Sequence, residues 1–185
     1  MIRRIAAAAA AVITGLSVAL VGPVEAAQAV EGDGWRRIIN VKSTLALQGY
    51  TTDVGVRVVQ EVKRSLVSGS PTPRQDWLFT VDKGYARFRN AAATDSSGWL
   101  ALTVNNGVDS LSRPVIQYTN IPGNPAQLWS MREAPGAADH VYTLRNPASG
   151  RCLSIPNGDL DPGVQAITYP CNGALDQMWI INDNN

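Results

Sequence analysis

The chain has 185 residues, and its 16 lysines and arginines nearly balance its 15 aspartates and glutamates, which leaves a net charge of +1. Binding to nucleic acid or to an anionic membrane surface depends on an excess of basic residues, so this balance argues against both as main partners. The length is that of one domain with a sizeable core.

The amino terminus predicts a secretory signal peptide over residues 1–29. Arg3 and Arg4 form a positively charged start, and residues 5–21 are an apolar stretch rich in alanine. The triplet Ala27-Gln28-Ala29 fits the small-residue pattern of a cleavage site. We therefore expect a secreted protein.

A transmembrane anchor is the competing interpretation of this segment. It is weaker, because small residues and Gly22-Pro23 follow the apolar stretch at once. Cleavage after Ala26 is an alternative to cleavage after Ala29. Removal of residues 1–29 leaves 14 basic and 14 acidic residues, since the segment holds two arginines and Glu25. Residues 30–34 are then a short leader, and no membrane span is expected.

Three Gln-x-Trp triplets recur along the remaining chain, and their tryptophans stand 52 and 50 residues apart. They are Gln75-Asp76-Trp77, Gln127-Leu128-Trp129 and Gln177-Met178-Trp179. An asparagine precedes each triplet in the same order, at Asn40, Asn90 and Asn146. A regular period near 50 residues is typical of a fold made from copies of one unit. We place the units at about 35–82, 83–134 and 135–182.

Within the units the pattern is that of short strands separated by turns. Residues 100–105 alternate between apolar side chains and small or polar ones, which is the period of a half-buried strand. Clusters of proline, asparagine and glycine, such as Pro156-Asn157-Gly158, separate such runs. The sequence therefore predicts an all-β domain over residues 35–185 in which three units close into a threefold barrel.

Two cysteines, Cys152 and Cys171, lie in the third unit. In an exported protein an even pair at this separation predicts a disulfide bond. A redox or metal-binding role is the alternative. It has little support, because the chain has no Cys-x-x-Cys motif and one histidine, His140.

The third unit resembles a repeat of the ricin B-type lectin family. The resemblance rests on Arg151-Cys152-Leu153-Ser154-Ile155, Tyr169-Pro170-Cys171-Asn172-Gly173 and the triplet that ends at Trp179. It extends more weakly through the second and first units and covers about residues 35–182. The resemblance implies a β-trefoil of three four-stranded repeats. Trp77, Trp129 and Trp179 would then fill the core, with Gln75 and Gln127 satisfying backbone groups at strand ends.

The family's sugar pocket combines an aspartate just after the Cys-Leu pair, an aromatic residue two positions before the second cysteine, and a polar residue near the triplet. The resemblance places Ala46, Ala101 and Ser154 at the aspartate position, so no unit keeps the acid. The aromatic residue is present as Tyr118 and Tyr169. Covering the barrel flank is the alternative role for both tyrosines.

The third unit keeps most of this pattern and is the predicted binding site. Its candidate ligand-binding residues are Ser154, Asn157, Tyr169, Asp176 and Gln177, with Tyr118 as a further candidate in the second unit. The spaced oxygens of residues 157–163 resemble a calcium loop, but they lack the closing glutamate and favour a turn. Neither a metal nor a cofactor is expected. Because Ser154 replaces the acid, Ser154→Asp is expected to strengthen sugar binding.

Catalysis has little support, because His140 stands alone and no nucleophile or phosphate-loop motif occurs. The sequence therefore predicts a secreted, non-catalytic, lectin-like protein that binds a glycan or glycoconjugate. The alternative is a protein-interaction or targeting subunit of a secreted multi-chain complex or toxin that has lost sugar binding. A protease inhibitor that uses the loop at residues 68–74 is a third possibility.

Overall fold

The structure of the protein is a computed structural model, and it describes residues 34–64, 74–105 and 111–183. The predicted signal peptide, the leader up to residue 33 and residues 68–73 of the candidate inhibitor loop lie outside this part of the chain. The helical segments of the described residues are three short 3-10 turns at Pro125–Gln127, Pro156–Gly158 and Leu175–Gln177. No helix there is long and apolar enough to cross a membrane.

The described residues form twelve strands, four in each of three consecutive units. The first unit holds β1 (Trp35–Asn40), β2 (Ala46–Gly49), β3 (Val58–Glu61) and β4 (Trp77–Asp82). The second holds β5 (Tyr85–Asp95), β6 (Gly98–Val104), β7 (Arg113–Tyr118) and β8 (Ser130–Glu133). The third holds β9 (Val141–Arg145), β10 (Cys152–Ser154), β11 (Ile167–Tyr169) and β12 (Met178–Asp183).

The first and fourth strands of the three units close into a six-stranded barrel. Antiparallel pairing runs from β1 to β4, β5, β8, β9 and β12, and β12 pairs with β1 to complete the ring. The joint between β5 and β8 is made by Ala86 and Trp129, whose backbone groups exchange hydrogen bonds of 2.8 and 2.9 Å. A closed ring leaves no unpaired sheet edge.

The middle strands of each unit form hairpins that cap one end of the barrel. The hairpins are β2–β3, β6–β7 and β10–β11, and they touch one another because β11 pairs with β7 and Val59 bridges to Gln165. A six-stranded barrel with a triangular cap of three hairpins is a β-trefoil. The predicted fold is confirmed.

Three tryptophans occupy equivalent places in the core, and all are fully buried: Trp77, Trp129 and Trp179. Each indole N–H donates a hydrogen bond to the carbonyl of a leucine in the second strand of the same unit. The acceptors are Leu47 at 3.0 Å, Leu102 at 3.2 Å and Leu153 at 3.0 Å. A buried indole needs a partner for its N–H, and here that partner ties the barrel to the hairpin cap.

The glutamine of each triplet has an equally regular role. Its amide N–H donates to a backbone carbonyl just after the third strand of its unit, and its carbonyl accepts a backbone N–H nearby. The acceptors are Val62, Thr119 and Pro170, and the donors are Arg64, Ile121 and Asn172. These bonds hold the connection between the third and fourth strands, where no ladder satisfies the backbone.

The repeated asparagines connect neighbouring units. Each side-chain oxygen accepts a backbone N–H two or three residues further along the chain, and each amide donates to the triplet region of a neighbouring unit. Asn40 reaches the carbonyl of Asp176, Asn90 that of Arg74, and Asn146 those of Pro125 and Leu128. Asn40 and Asn146 each stabilise a turn that follows a strand, whereas Asn90 lies within β5. The link between units is visible only in the folded chain.

Candidate functional site

A surface depression of about 280 Å³ lies beside the hairpin of the third unit. Its lining includes four of the six candidate ligand-binding residues, namely Ser154, Asn157, Tyr169 and Asp176. They come from β10, from β11 and from the two 3-10 turns of this unit. The folding of one unit therefore brings together residues spread over 23 positions of the sequence.

Five further residues line the depression and were not predicted: Ser112, Pro156, Gly158, Ile167 and Asn172. Asn172 follows Cys171 directly within the motif of the third unit, so its place in that motif could have identified it as a candidate. Ser112 belongs to the second unit and reaches the depression because the adjacent Arg113 pairs with Thr168 of β11. No pattern in the sequence predicts that pairing between units.

The predicted disulfide is confirmed between Cys152 and Cys171, with a Cα–Cα distance of 5.1 Å. Cys152 lies directly opposite Tyr169 in the β10–β11 ladder, and Cys171 follows Tyr169 by two residues. The bond therefore closes the hairpin at the end that carries Tyr169, which restricts the movement of this side chain relative to β10.

Tyr169 presents its ring to solvent at one wall of the depression. The side chain is 41% exposed, whereas the neighbouring Thr168 is fully buried. This difference follows from the alternation of a strand, in which successive side chains point to opposite faces. The ring is therefore available as a flat apolar platform with a hydroxyl at its edge.

Ser154 and Asp176 form a hydrogen-bonded pair at the base of the depression. The Ser154 side chain is almost fully buried, and its Oγ donates to Asp176 Oδ2 at 2.7 Å. The backbone of Asp176 is held by Ile155 and by the Asn40 amide, at 3.2 and 2.9 Å. Within the described residues the other carboxylate oxygen, Oδ1, makes no hydrogen bond. It can accept one from a ligand hydroxyl.

Asn157 is exposed at the rim in a left-handed backbone conformation, with φ of 55°. Asparagine tolerates this conformation better than most residues. Gly158 follows at φ of 61°, a backbone conformation that residues with a Cβ rarely adopt. The turn therefore depends on glycine at this position, and it directs the Asn157 side chain to the rim.

The loop from Asp159 to Gly163 behaves as a turn. The amide of Gln60 donates to the carbonyls of Asp159 and Asp161 at 3.0 and 2.9 Å, and Asp159 Oδ1 accepts the N–H of Asp161. No cluster of three or more histidine, cysteine, aspartate or glutamate side chains in the described residues could hold a metal ion. These bonds hold the backbone of the loop and engage Asp159 Oδ1 within it.

Two predicted residues do not line the depression. Gln177 is buried, and its amide is bonded to Pro170 and Asn172. Tyr118 lies on β7 of the second unit, opposite Ala101, and is 43% exposed. It is the structural equivalent of Tyr169, which lies opposite Cys152 in the third unit.

The structure corrects the alignment of the three units at the family's aspartate position. The indole acceptors Leu47, Leu102 and Leu153 are equivalent, so the residues that follow them are equivalent as well. Ser154 therefore corresponds to Gln48 and Thr103, and the assignment of Ala46 and Ala101 was wrong. Gln48 and Thr103 are both buried, and each accepts a hydrogen bond from the side-chain amide of the triplet glutamine of its unit.

Comparison with known proteins connects this arrangement to a family. The model of the ricin-type β-trefoil lectin domain-like family matches residues 125–185, a range that contains the whole third unit. Residues 125–185 are therefore similar to a ricin-type β-trefoil lectin domain. This relationship supports carbohydrate binding as the general class of function. No curated protein matches the chain in sequence.

Solved structures share the fold over most of the described chain. ThreeFoil, a designed threefold-symmetric protein, is 27% identical with a TM-score of 0.67, and the match covers 82% of this chain and 99% of that one. An exo-beta-1,3-galactanase from Clostridium thermocellum is 20% identical with a TM-score of 0.68, over 84% of this chain and 31% of that one. The Macrolepiota procera ricin B-like lectin, solved with lactose, is 20% identical with a TM-score of 0.64, over 84% and 99%.

Proposed function

We propose that this chain is a secreted, non-catalytic glycan-binding protein whose best-formed site is the depression of the third unit. The observation that carries the proposal is the convergence of Tyr169, Asp176 and Asn157 on one depression in the unit with the lectin-like sequence. The likeness to a lectin solved with lactose supports the same class of ligand.

The side chains of the depression match the chemistry of a pyranose ring. One face of such a ring consists of C–H bonds and can pack on the ring of Tyr169. The hydroxyl-rich edge can donate to Asp176, because hydrogen bonds to an ionised acceptor are the stronger ones. A volume of about 280 Å³ lies at the small end of ligand pockets and suits a single sugar residue.

The lining contains one carboxylate, that of Asp176, and neither a histidine nor a free thiol. Glycoside hydrolysis commonly needs a pair of carboxylates around the scissile bond. The arrangement therefore favours binding over hydrolysis. Export is supported by the signal-type segment at residues 1–29 and by the Cys152–Cys171 bond, since disulfides form in oxidising compartments.

The protein-interaction function is the second candidate. It is favoured by one observation: the aspartate position of the family is occupied by Gln48, Thr103 and Ser154, none of them acidic. If the depression binds no sugar, this function takes the lead.

Tyr169→Ala is expected to weaken sugar binding about tenfold, the equivalent of one lost aromatic contact of roughly 1–2 kcal/mol. Isothermal titration calorimetry or NMR titration with galactose, mannose, arabinose and lactose measures the effect. Tyr118→Ala is the matched control, because Tyr118 occupies the equivalent place in the second unit outside the depression. Equal losses in the two variants, or none in Tyr169→Ala, would contradict the assignment.

Ser154→Asp is expected to weaken binding, which reverses the expectation from sequence. The new carboxylate would lie against Asp176, since the serine Oγ is 2.7 Å from Asp176 Oδ2, and two carboxylates at that distance repel each other. We expect the free energy of unfolding to fall by roughly 1–3 kcal/mol, because a buried hydrogen bond is replaced by a poorly solvated charge.

The double variant Ser154→Asp/Asp176→Asn tests the cause of that effect. The new amide at position 176 can donate a hydrogen bond to the new carboxylate at position 154, and the acid then stands at the family's position. We expect the double variant to regain most of the lost stability and to bind sugar at least as well as the wild type. Stronger sugar binding by Ser154→Asp alone would show that the repulsion is absent.

A further inference from the structure

Two tryptophans lie outside the core, one on a barrel strand and one on a strand of the hairpin cap. Trp35 begins β1 and Trp99 lies near the start of β6, and both are half-buried. Their ring centroids are 5.3 Å apart and their planes meet at 81°, an edge-to-face arrangement. Unlike the three core indoles, neither indole N–H has a hydrogen-bond partner within the described residues.

Arg89 completes this group. In the sheet ladder, Trp35 lies opposite Leu78, and Leu78 lies opposite Arg89. Arg89 in turn lies opposite Ala101, which stands two residues after Trp99. The Arg89 guanidinium carbon lies 5.4 Å from the Trp99 ring centroid. We call Trp35, Leu78, Arg89 and Trp99 the tryptophan–arginine surface.

The guanidinium of Arg89 has no anionic partner in the described residues. Its Nε is buried without a hydrogen bond. Arg145 is the equivalent residue of the third unit, and its Nε donates to the carbonyl of Gly150 at 2.9 Å. Gly150 is the structural equivalent of Trp99, so the second unit has an indole where the third has a backbone partner for its arginine.

The electrostatics of this surface favour an anion. Burial lowers the pKa of Arg89 below its usual value, and the charge of the nearby Arg87 lowers it further. Arg87 is itself paired with Asp82. An arginine nevertheless stays protonated near neutral pH, so Arg89 offers a partly desolvated positive charge with unused donors.

We propose that the tryptophan–arginine surface binds a carboxylate-bearing sugar residue, a hexuronic acid or a similar acidic pyranose. The planar guanidinium matches a carboxylate in a two-bond arrangement, and an indole face packs against the C–H face of the ring. The indole N–H groups add donors for the same anion. This site is separate from the depression of the third unit and does not depend on sugar binding there.

The size of the surface favours a sugar over a protein partner. All four side chains are half-buried, so the area they expose is a small part of the roughly 800 Å² that each side of a standard protein interface buries. That area is sufficient for one face of a pyranose. An acidic peptide is therefore an outcome of the test and not the proposed ligand.

The test compares methyl β-glucuronide with methyl β-glucoside, which differ only in the carboxylate. NMR titration of the 15N-labelled protein follows the five indole N–H signals, three of which belong to the buried core and serve as internal references. We expect the signals of Trp35 and Trp99 to shift with the glucuronide, and the glucuronide to bind about tenfold more tightly than the glucoside. The preference should shrink as salt concentration rises.

Arg89→Met is expected to abolish the preference for the glucuronide, and Arg145→Met, the matched control, to retain it. The proposal is overturned if wild type binds both glycosides equally, if neither shifts Trp35 and Trp99, or if a peptide of acidic residues binds as tightly as the glucuronide. The comparison of the two glycosides on the wild-type protein tests the proposal even if Arg89→Met does not fold. Tyr169→Ala separates the two sites, because it weakens neutral sugars and leaves the glucuronide response of Trp35 and Trp99 unchanged.

Discussion

Trp129→Ala is expected to lower the free energy of unfolding by about 3–5 kcal/mol, the range found for removal of a large aromatic side chain from a core. Trp129 is fully buried at the joint between β5 and β8. The substitution leaves a cavity that the closed barrel can fill only in part. It also deprives the Leu102 carbonyl of its indole partner, which lies at 3.2 Å.

Chemical denaturation followed by circular dichroism measures this loss. Trp129→Phe separates its two causes, because it keeps an aromatic ring and removes only the hydrogen bond and part of the volume. It should therefore cost less than Trp129→Ala. Trp99→Ala is the matched control, since Trp99 is only half-buried and its removal should cost clearly less than Trp129→Ala. A Trp129→Ala protein with wild-type stability would contradict the role of this indole in the core.

Removal of the disulfide by Cys152→Ala/Cys171→Ala is expected to cost roughly 3 kcal/mol, because the bond closes a loop of about 20 residues and restricts the unfolded chain. The same variant should bind sugar more weakly, since the bond lies beside Tyr169 on β11. The contribution of the disulfide to the free energy of unfolding is measured by chemical denaturation of three proteins: the oxidised wild type, the reduced wild type and the double variant.

Intact mass provides the check on this second prediction. The oxidised protein should be lighter than the reduced protein by two hydrogens, and a mature chain that begins at or near Val30 would support the predicted cleavage. Two free thiols in the folded, secreted protein would contradict the assignment. A wild type whose stability is unchanged by reduction would contradict the expected energetic role.

The threefold repeat was predictable from sequence, and the resemblance to ricin B-type lectins implied the trefoil fold. The triplets that end at Trp77, Trp129 and Trp179 mark the period along the chain, and one bulky indole from each unit can fill the core. The disulfide was predictable as well, because the chain has only two cysteines. Such features depend on residue type and covalent spacing, which the sequence states directly.

The exact alignment of the three units could not be predicted from the sequence. Ala46 and Gln48 stand two residues apart on one strand, as do Ala101 and Thr103 on another. A shift of two residues keeps every side chain on the same face of a strand, so the pattern of apolar and polar residues cannot reveal it. The hydrogen bonds from the core indoles to Leu47, Leu102 and Leu153 establish the alignment, and the strand pairing of the second and third units agrees with it.

The chain's own sequence determined a threefold all-β domain, because its motifs repeat at a regular distance. The resemblance of the third unit to a lectin repeat rested on the residues of that unit. The tertiary structure decided that Ser154 bonds to Asp176, that Ser112 of the second unit borders the depression, and that Trp35 and Arg89 share a surface with Trp99. These contacts join residues from different strands or units. Barrel closure and strand register place them together, and neither is encoded in the distance between residues along the chain.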